Sequence, residues 1–102
     1  MAGVVFEDYT MASVTMHMAV SKTGLPLKNM VFAVFQYAFV QLGVDKAIGL
    51  VNSSNKAALE VDLKLGFRPE AVVEGVFPNG DMVILVMNKS DCKWITAEQR
   101  AA

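Results

Sequence analysis

From Asn29 to Val44 the chain carries no charged residue, and this run limits what the sequence can become more than any other feature. A stretch this apolar either crosses a membrane or is buried inside a fold. It falls short of the roughly 18 to 20 apolar residues that a membrane helix needs, and Gln36 and Gln41 interrupt it. It therefore reads as a buried helix. Leu27, Met30, Val31, Val34, Ala38 and Leu42 recur at helical spacing along one stripe, with Phe32, Phe35 and Phe39 forming a second apolar stripe beside it. A helix apolar over most of its circumference needs cover on more than one side.

The flanks of this run read as strands. Gly3 to Asp8 and Ser13 to Val20 are rich in β-branched and aromatic residues and are expected to form an antiparallel hairpin. On the second strand Val14, Met16, Met18 and Val20 alternate with Ser13, Thr15, His17 and Ala19, so one face is core and the other partly polar. Ser21-Lys22-Thr23-Gly24-Leu25-Pro26 leads into the helix with Pro at its first position, and Gly43 stops the helix after about Leu42. Lys46 to Val51 is a short apolar strand suited to parallel pairing after a crossover helix, which makes a right-handed βαβ unit. A second helix covers about Lys56 to Leu65, between the N-cap chemistry of Asn52-Ser53-Ser54-Asn55 and the stop at Gly66. Arg68 to Phe77 and Met82 to Asn88 then flank Asn79-Gly80, a strong hairpin signal. The result is an α+β domain with a mixed β-sheet, element order β-β-α-β-α-β-β and a central parallel pair. It occupies residues 1–90, and the tail 91–102 is expected to be weakly ordered apart from Trp94 and Ile95, which dock.

Composition narrows the function classes. Of the 102 residues 54% are apolar and 19% charged, the opposite of a disordered chain. A domain this small buries only about 60 to 65% of the surface its chain exposes, so some apolar surface is left over. With 9 basic against 10 acidic residues, net charge −1, there is no overall attraction to nucleic acid or anionic lipid, and neither is expected as a partner. Cys92 stands alone, which excludes an internal disulfide and a zinc-site spacing and points to a cytoplasmic setting without structural metal. No basic region precedes the first apolar stretch and Glu7-Asp8 interrupts it, unlike a signal peptide. The loop Ser21 to Pro26 is where an anion would sit, since a helix N-terminus offers unpaired N–H groups and the positive dipole end, with Lys22 and Lys28 close by. An ordinary Gly-Pro helix entry is the alternative.

The segment Asn55-Lys56-Ala57-Ala58-Leu59-Glu60-Val61-Asp62-Leu63-Lys64-Leu65-Gly66-Phe67-Arg68-Pro69-Glu70 resembles the C-terminal signature of the GNAT (Gcn5-related) N-acetyltransferases. In that family an Asn opens a helix, a small residue follows three positions later, here Ala58, and the helix ends in Lys-Leu-Gly-Phe before Arg-x-Glu. The closing hairpin with Asn79-Gly80-Asp81 and a Met-containing last strand resembles the ribosomal-protein alanine acetyltransferase branch. The likeness covers about Ser13 to Lys89, so the chain reads as a GNAT-like domain lacking the usual first strand and the two helices that cover one sheet face.

The resemblance implies transfer of an acetyl group from acetyl-coenzyme A to a primary amine. Acetyl-coenzyme A would lie where the strand ending near Val20 and the strand beginning near Lys46 splay apart, held by Met18, Ala19, Val20, Lys22, Thr23, Gly24, Leu25, Asn55 and Ala58. Within the family's phosphate loop Gly24 fits, while Ser21 and Pro26 depart from the pattern. Backbone N–H near Met18 or Ala19 would meet the oxyanion. For the base, His17 and Glu7 are the ionisable groups on the early hairpin, and His17 is the better suited at neutral pH. Where many members place a Tyr acid, this sequence has Asp62, and an aspartate of ordinary pKa, about 3.9, is ionised at neutral pH and has no proton to give. The alternative to an enzyme is a non-catalytic GNAT-like binding or assembly module. Without covering helices, one face of the sheet or the Phe32, Phe35 and Phe39 stripe should lie bare, which implies a homodimer or larger oligomer.

Overall fold

The computed structural model describes residues 3–19 and 28–101, with side chains described for 6–16 and 30–101. Five strands form one mixed sheet in the spatial order β1-β2-β3-β5-β4. They are β1 (Gly3–Glu7), β2 (Ser13–Ala19), β3 (Lys46–Asn52), β4 (Arg68–Phe77) and β5 (Gly80–Asn88). Between them run α1 (Lys28–Phe35), which widens into a π-helical stretch Gln36–Gln41, and α2 (Lys56–Leu65). A short α3 (Ala97–Ala101) follows a 3-10 turn at Lys89–Asp91. The central pair β2–β3 is parallel and its neighbours are antiparallel, as the order of elements in the sequence implied.

Strand register shows where the core sits. Val14 lies opposite Ala47, Ala47 opposite Met87, and Gly49 opposite Leu85, so these residues share one face. Against that face pack Val31, Val34, Phe35, Ala38 and Phe39 of the first helix and Leu65 at the end of α2. Phe35, Phe39, Leu85 and Met87 are fully buried, and each such side chain stabilises the fold by about 1.5 to 3 kcal/mol relative to exposure. The opposite face carries Ile48, Leu50, Met82 and Ile84, half-buried, and Thr15 and Val86, which flank Ile48 and are buried; none of these belongs to the core cluster. The sheet face, rather than the phenylalanine stripe, is therefore the less covered surface. Phe35 and Phe39 are wholly covered and only Phe32, 41% exposed, reaches solvent.

Residues distant in sequence cover that stripe. The Trp94 ring meets Phe32 edge-on at 5.4 Å and stacks near Phe35 at 6.5 Å, while its Nε1 donates to the Leu65 carbonyl at 2.7 Å. Cys92 and Ile95 are buried beside it, and the Arg100 Nη1 donates to both of their carbonyls at 2.8 Å. Gln36, where the helix widens, exchanges two amide hydrogen bonds with Gln99 of α3, at 2.8 and 3.1 Å. Beyond Ser90 the chain thus packs through Cys92, Arg100 and Gln99 as well as through Trp94 and Ile95.

Candidate functional site

The sheet is not continuous. β2 and β3 pair at Ser13–Lys46, Val14–Ala47 and Thr15–Ile48, and there the pairing ends. β2 continues to Ala19 paired only with β1, and β3 continues to Asn52 paired only with β5. Parallel strands that stay hydrogen-bonded bury their amides and carbonyls in a ladder. Strands that part leave main-chain polar groups facing a gap, and such groups need a partner. The gap between these two lips is the candidate site.

The β3 lip is fixed by α2. Asn55 caps this helix by accepting the Ala58 N–H on Oδ1 at 3.2 Å. Its side-chain amide nitrogen has no partner among the described residues, so capping leaves a donor at the helix N-terminus. At the other end Gly66 takes a left-handed conformation, φ 113°, and the Phe67 N–H donates to the Asp62 carbonyl at 3.1 Å. This is a Schellman closure, in which the apolar residue after the glycine seals the helix end against the core, and Phe67 is buried accordingly. The turn that leads from β3 into α2 is also tied to the closing hairpin. Asn52 donates from Nδ2 to the Asn79 Oδ1 at 2.9 Å, the Asp81 N–H donates to the Ser53 Oγ at 2.9 Å, and Gly80 sits so close to Asn52 and Ser53 that a side chain there would collide with both.

Asp62 is the residue whose properties the sequence misstated. It is 9% exposed and lies on the side of α2 that faces the sheet, with Oδ2 3.7 Å from where a Cβ on Gly49 would stand. Gly49 is the first residue of β3 past the last pair with β2. No hydrogen-bond donor or cation among the described residues meets the carboxylate. Burial alone pushes its pKa from 3.8 up to about 6, so the ordinary value expected from the sequence is corrected. The signal for this was present: positions 58, 62 and 65 recur at helical spacing, with Leu65 in the core and Ala58 half-buried against it.

The other expected site residues are distributed as follows. His17, Met18 and Ala19 belong to the β2 lip by their main chain, paired through β1 with Val5, Val4 and Gly3. Glu7 is exposed on the edge strand β1 opposite Thr15, so β2 stands between it and β3. Asn55 and Ala58 form the first turn of α2. Val20, Lys22, Thr23, Gly24 and Leu25 lie outside the described residues. Cys92 is buried away from solvent, and burial pushes its thiol up, further from a reactive thiolate. A separate polar hollow of about 280 Å³ lies at the opposite end of β3, lined by residues that include Lys46, Lys89 and Arg100.

No protein-family model matches the sequence, and no curated protein does. Solved structures do. A variant of the spermidine N-acetyltransferase from Vibrio cholerae superposes with a TM-score of 0.75 at 15% identity, over 93% of this chain and 59% of that one. A dodecameric structure of spermidine N-acetyltransferase from Vibrio cholerae gives 0.73 at 16% identity, over 85% of this chain and 56% of that one. A GNAT-family acetyltransferase from Bacillus anthracis gives 0.68 at 17% identity, over 83% and 56%. The chain spans less than three fifths of the length of these proteins. At such identities the likeness establishes the architecture: the chain has a GNAT-like fold.

Proposed function

We propose that the chain is an N-acetyltransferase that binds acetyl-coenzyme A in the gap between β2 and β3 and moves its acetyl group to a primary amine. The parting of the parallel pair after Thr15 and Ile48 carries this reading, because it opens main-chain polar groups on both lips in the middle of the sheet. The acyl carbonyl oxygen would be met by main-chain N–H at Met18 or Ala19, which have no partner in β3. Asn55 would offer its unpartnered amide nitrogen at the mouth of α2, and Ser21 to Pro26 would hold the pyrophosphate together with the N-terminus of α1. The amine is a polyamine or a peptide amine, since the solved structures of this fold include acetyltransferases of spermidine, while the Asn79-Gly80 hairpin resembles that of the ribosomal-protein alanine branch. The setting is the cytoplasm, supported by a lone cysteine and by the absence, among the described residues, of any helix long and apolar enough to cross a membrane.

The less covered sheet face supports a homodimer or larger assembly. Ile48, Leu50, Met82 and Ile84 line it, and Val73 of the edge strand β4 extends it. Sedimentation at micromolar concentration should give a mass above the monomer, and Ile84→Lys should lower it. A strictly monomeric wild type would remove this part of the reading.

Calorimetric titration with acetyl-coenzyme A, followed by thiol release in the presence of spermidine or a lysine peptide, tests the whole. Binding and turnover are expected. Binding without turnover on any amine would leave a non-catalytic binding module, and absence of heat at millimolar acetyl-coenzyme A would end both readings. If turnover is found, His17→Ala should slow it; unchanged turnover would remove His17 as the base.

A further inference from the structure

Three of the chain's nine basic residues, Lys46, Lys89 and Arg100, meet at the end of β3 remote from the gap. They are far apart in sequence, and two features of the packing bring them together. The β3–β5 register sets Lys46 opposite Asn88, and the Lys89 N–H donates to the Asp45 carbonyl at 2.8 Å, which ties the start of one strand to the end of the other. Docking of the tail through Trp94 then carries Arg100 of α3 to the same place. With Asp45, Asn88 and Ser90 these residues line the hollow of about 280 Å³. That is far more than the roughly 10 to 15 Å³ a single water needs, and just under the roughly 300 Å³ at which sites for drug-sized ligands begin. A small ligand fits it.

The cations are held in place by neutral groups. Arg100 Nη1 is fixed by the Cys92 and Ile95 carbonyls, both at 2.8 Å, while its Nε and Nη2 have no partner among the described residues. Those two nitrogens form one edge of the guanidinium plane, a fork that matches two oxygens of a phosphate or carboxylate. Lys46 is steadied by Asn88, whose Oδ1 accepts from Nζ at 2.7 Å, and an ammonium held by one bond keeps two N–H groups for a ligand. Fixing a cation on carbonyl and amide oxygens leaves its charge uncompensated, and no carboxylate among the described residues pairs with Lys46 or Arg100. Asp45 is the one carboxylate lining the hollow, against three cations, in a chain whose net charge is −1. Asp91, nearby on the 3-10 turn, accepts from Asn88 Nδ2 at 3.4 Å.

We propose that this hollow binds a phosphate dianion, free or as a monoester, seated on the Arg100 fork and the Lys46 ammonium. A phosphate group carries about −1.5 to −2 charges at pH 7, which answers the local excess of positive charge; a monocarboxylate answers only half of it. The bound group bridges α3 to the start of β3, and so fastens the tail to the sheet. Through the Gln99–Gln36 pair the same clamp reaches the first helix where it widens. The site is independent of the acetyl-transfer reading, because it lies before the β2–β3 seam and the gap lies beyond it.

The test is a heteronuclear NMR titration of the full chain with inorganic phosphate, methyl phosphate and acetate at neutral pH and constant ionic strength, with thermal unfolding measured in parallel. Inorganic phosphate should shift the amides of Lys46, Lys89, Ser90 and Arg100 saturably, with a Kd on the order of 1 mM. It should raise the unfolding temperature once its concentration passes that value. Methyl phosphate binding as well would assign the phosphoryl group of a larger molecule, and inorganic phosphate alone the free ion. Acetate should bind about 10-fold more weakly. Arg100→Gln should weaken phosphate about 10-fold and Lys46→Gln about 3- to 5-fold. Lys64→Gln removes the same charge from the exposed side of α2 and should change nothing. Arg100 also holds the tail, so Lys46→Gln, at an exposed residue outside the core, decides the matter if Arg100→Gln fails to fold. Equal weakening by Lys46→Gln and Lys64→Gln would reduce the effect to overall charge and overturn the site. Equal affinity for acetate, or shifts confined to residues away from the hollow, would overturn it too, and each of these results leaves the acetyl-transfer reading standing.

Discussion

The two faces of the sheet use the same kinds of side chain to opposite effect. On one, Val14, Ala47, Leu85 and Met87 disappear beneath α1, the π-helical stretch and α2. On the other, Ile48, Leu50, Met82 and Ile84 stay half in solvent although they alternate with the first set along the same strands. Every device that closes a helix end or docks the tail lies on the covered side: the Gly66 turn, the Asn55 cap, the Trp94 bond to Leu65. Apolar content alone does not make a core. What makes one is an opposing element held at a fixed distance, and among the described residues only the covered face has a helix packed on it as part of the core cluster.

The largest test of this contrast is a pair of neighbouring truncations in β5. Leu85→Ala should cost about 2 to 5 kcal/mol by urea unfolding, and Ile84→Ala, one residue away on the less covered face, about 1 kcal/mol or less below the concentration of any assembly. Equal losses would mean that the less covered face is packed after all. Next comes the buried carboxyl on the covered side. Its folded pKa of about 6 lies above the unfolded 3.8, so the folded state resists ionisation. The penalty is absent below about pH 3.8, grows between the two values and is complete above about pH 6. The rise from 3.8 to about 6 makes the folded protein on the order of 2 kcal/mol less stable at pH 7 than at pH 4. Asp62→Asn should remove that slope, and a variant whose stability falls with pH as steeply as wild type would show that another group sets it.

Smaller effects probe the ends of α2. Gly66→Ala places a Cβ in a left-handed residue and 3.4 Å from the Met87 Cε, and should cost about 1 to 2 kcal/mol in thermal unfolding. Asn55→Ala should cost about 1 kcal/mol through the lost cap and should also weaken acetyl-coenzyme A binding if its amide nitrogen meets the ligand. Loss of stability with unchanged affinity would reduce Asn55 to a cap alone.

Where the sequence states its own boundaries, it is legible. Asn55 and Gly66 fix α2 at Lys56–Leu65, and β4 runs Arg68–Phe77, as their flanking residues indicate. The first strand ends one residue sooner than its apolar pattern suggests, at Glu7, while Val20 at the end of the second lies outside the described residues. The widening of the first helix over Gln36–Gln41 was not legible, because it occurs where Gln36 meets Gln99, and local periodicity carries no trace of so distant a contact. Coverage of Phe35 was hidden for the same reason, since Phe67 and Trp94 come from other elements. The opening between β2 and β3 was placed correctly between its two strands. The character of Asp62 was not, because charge was read from residue type while burial depends on what α2 lies against.

The seam that joins the two halves of the sheet consists of three residue pairs, and its last pair sets a length. Beyond Thr15 and Ile48 four residues remain on each lip, Met16 to Ala19 and Gly49 to Asn52, and at about 3.3 Å per residue they bound a slot about 13 Å long. One further pair would shorten that slot by a quarter and bring its closed end past Gly49, where Asp62 stands. The stop in the seam thus works as a ruler: it fixes how deep the gap between the strands runs and where along that gap the carboxyl stands.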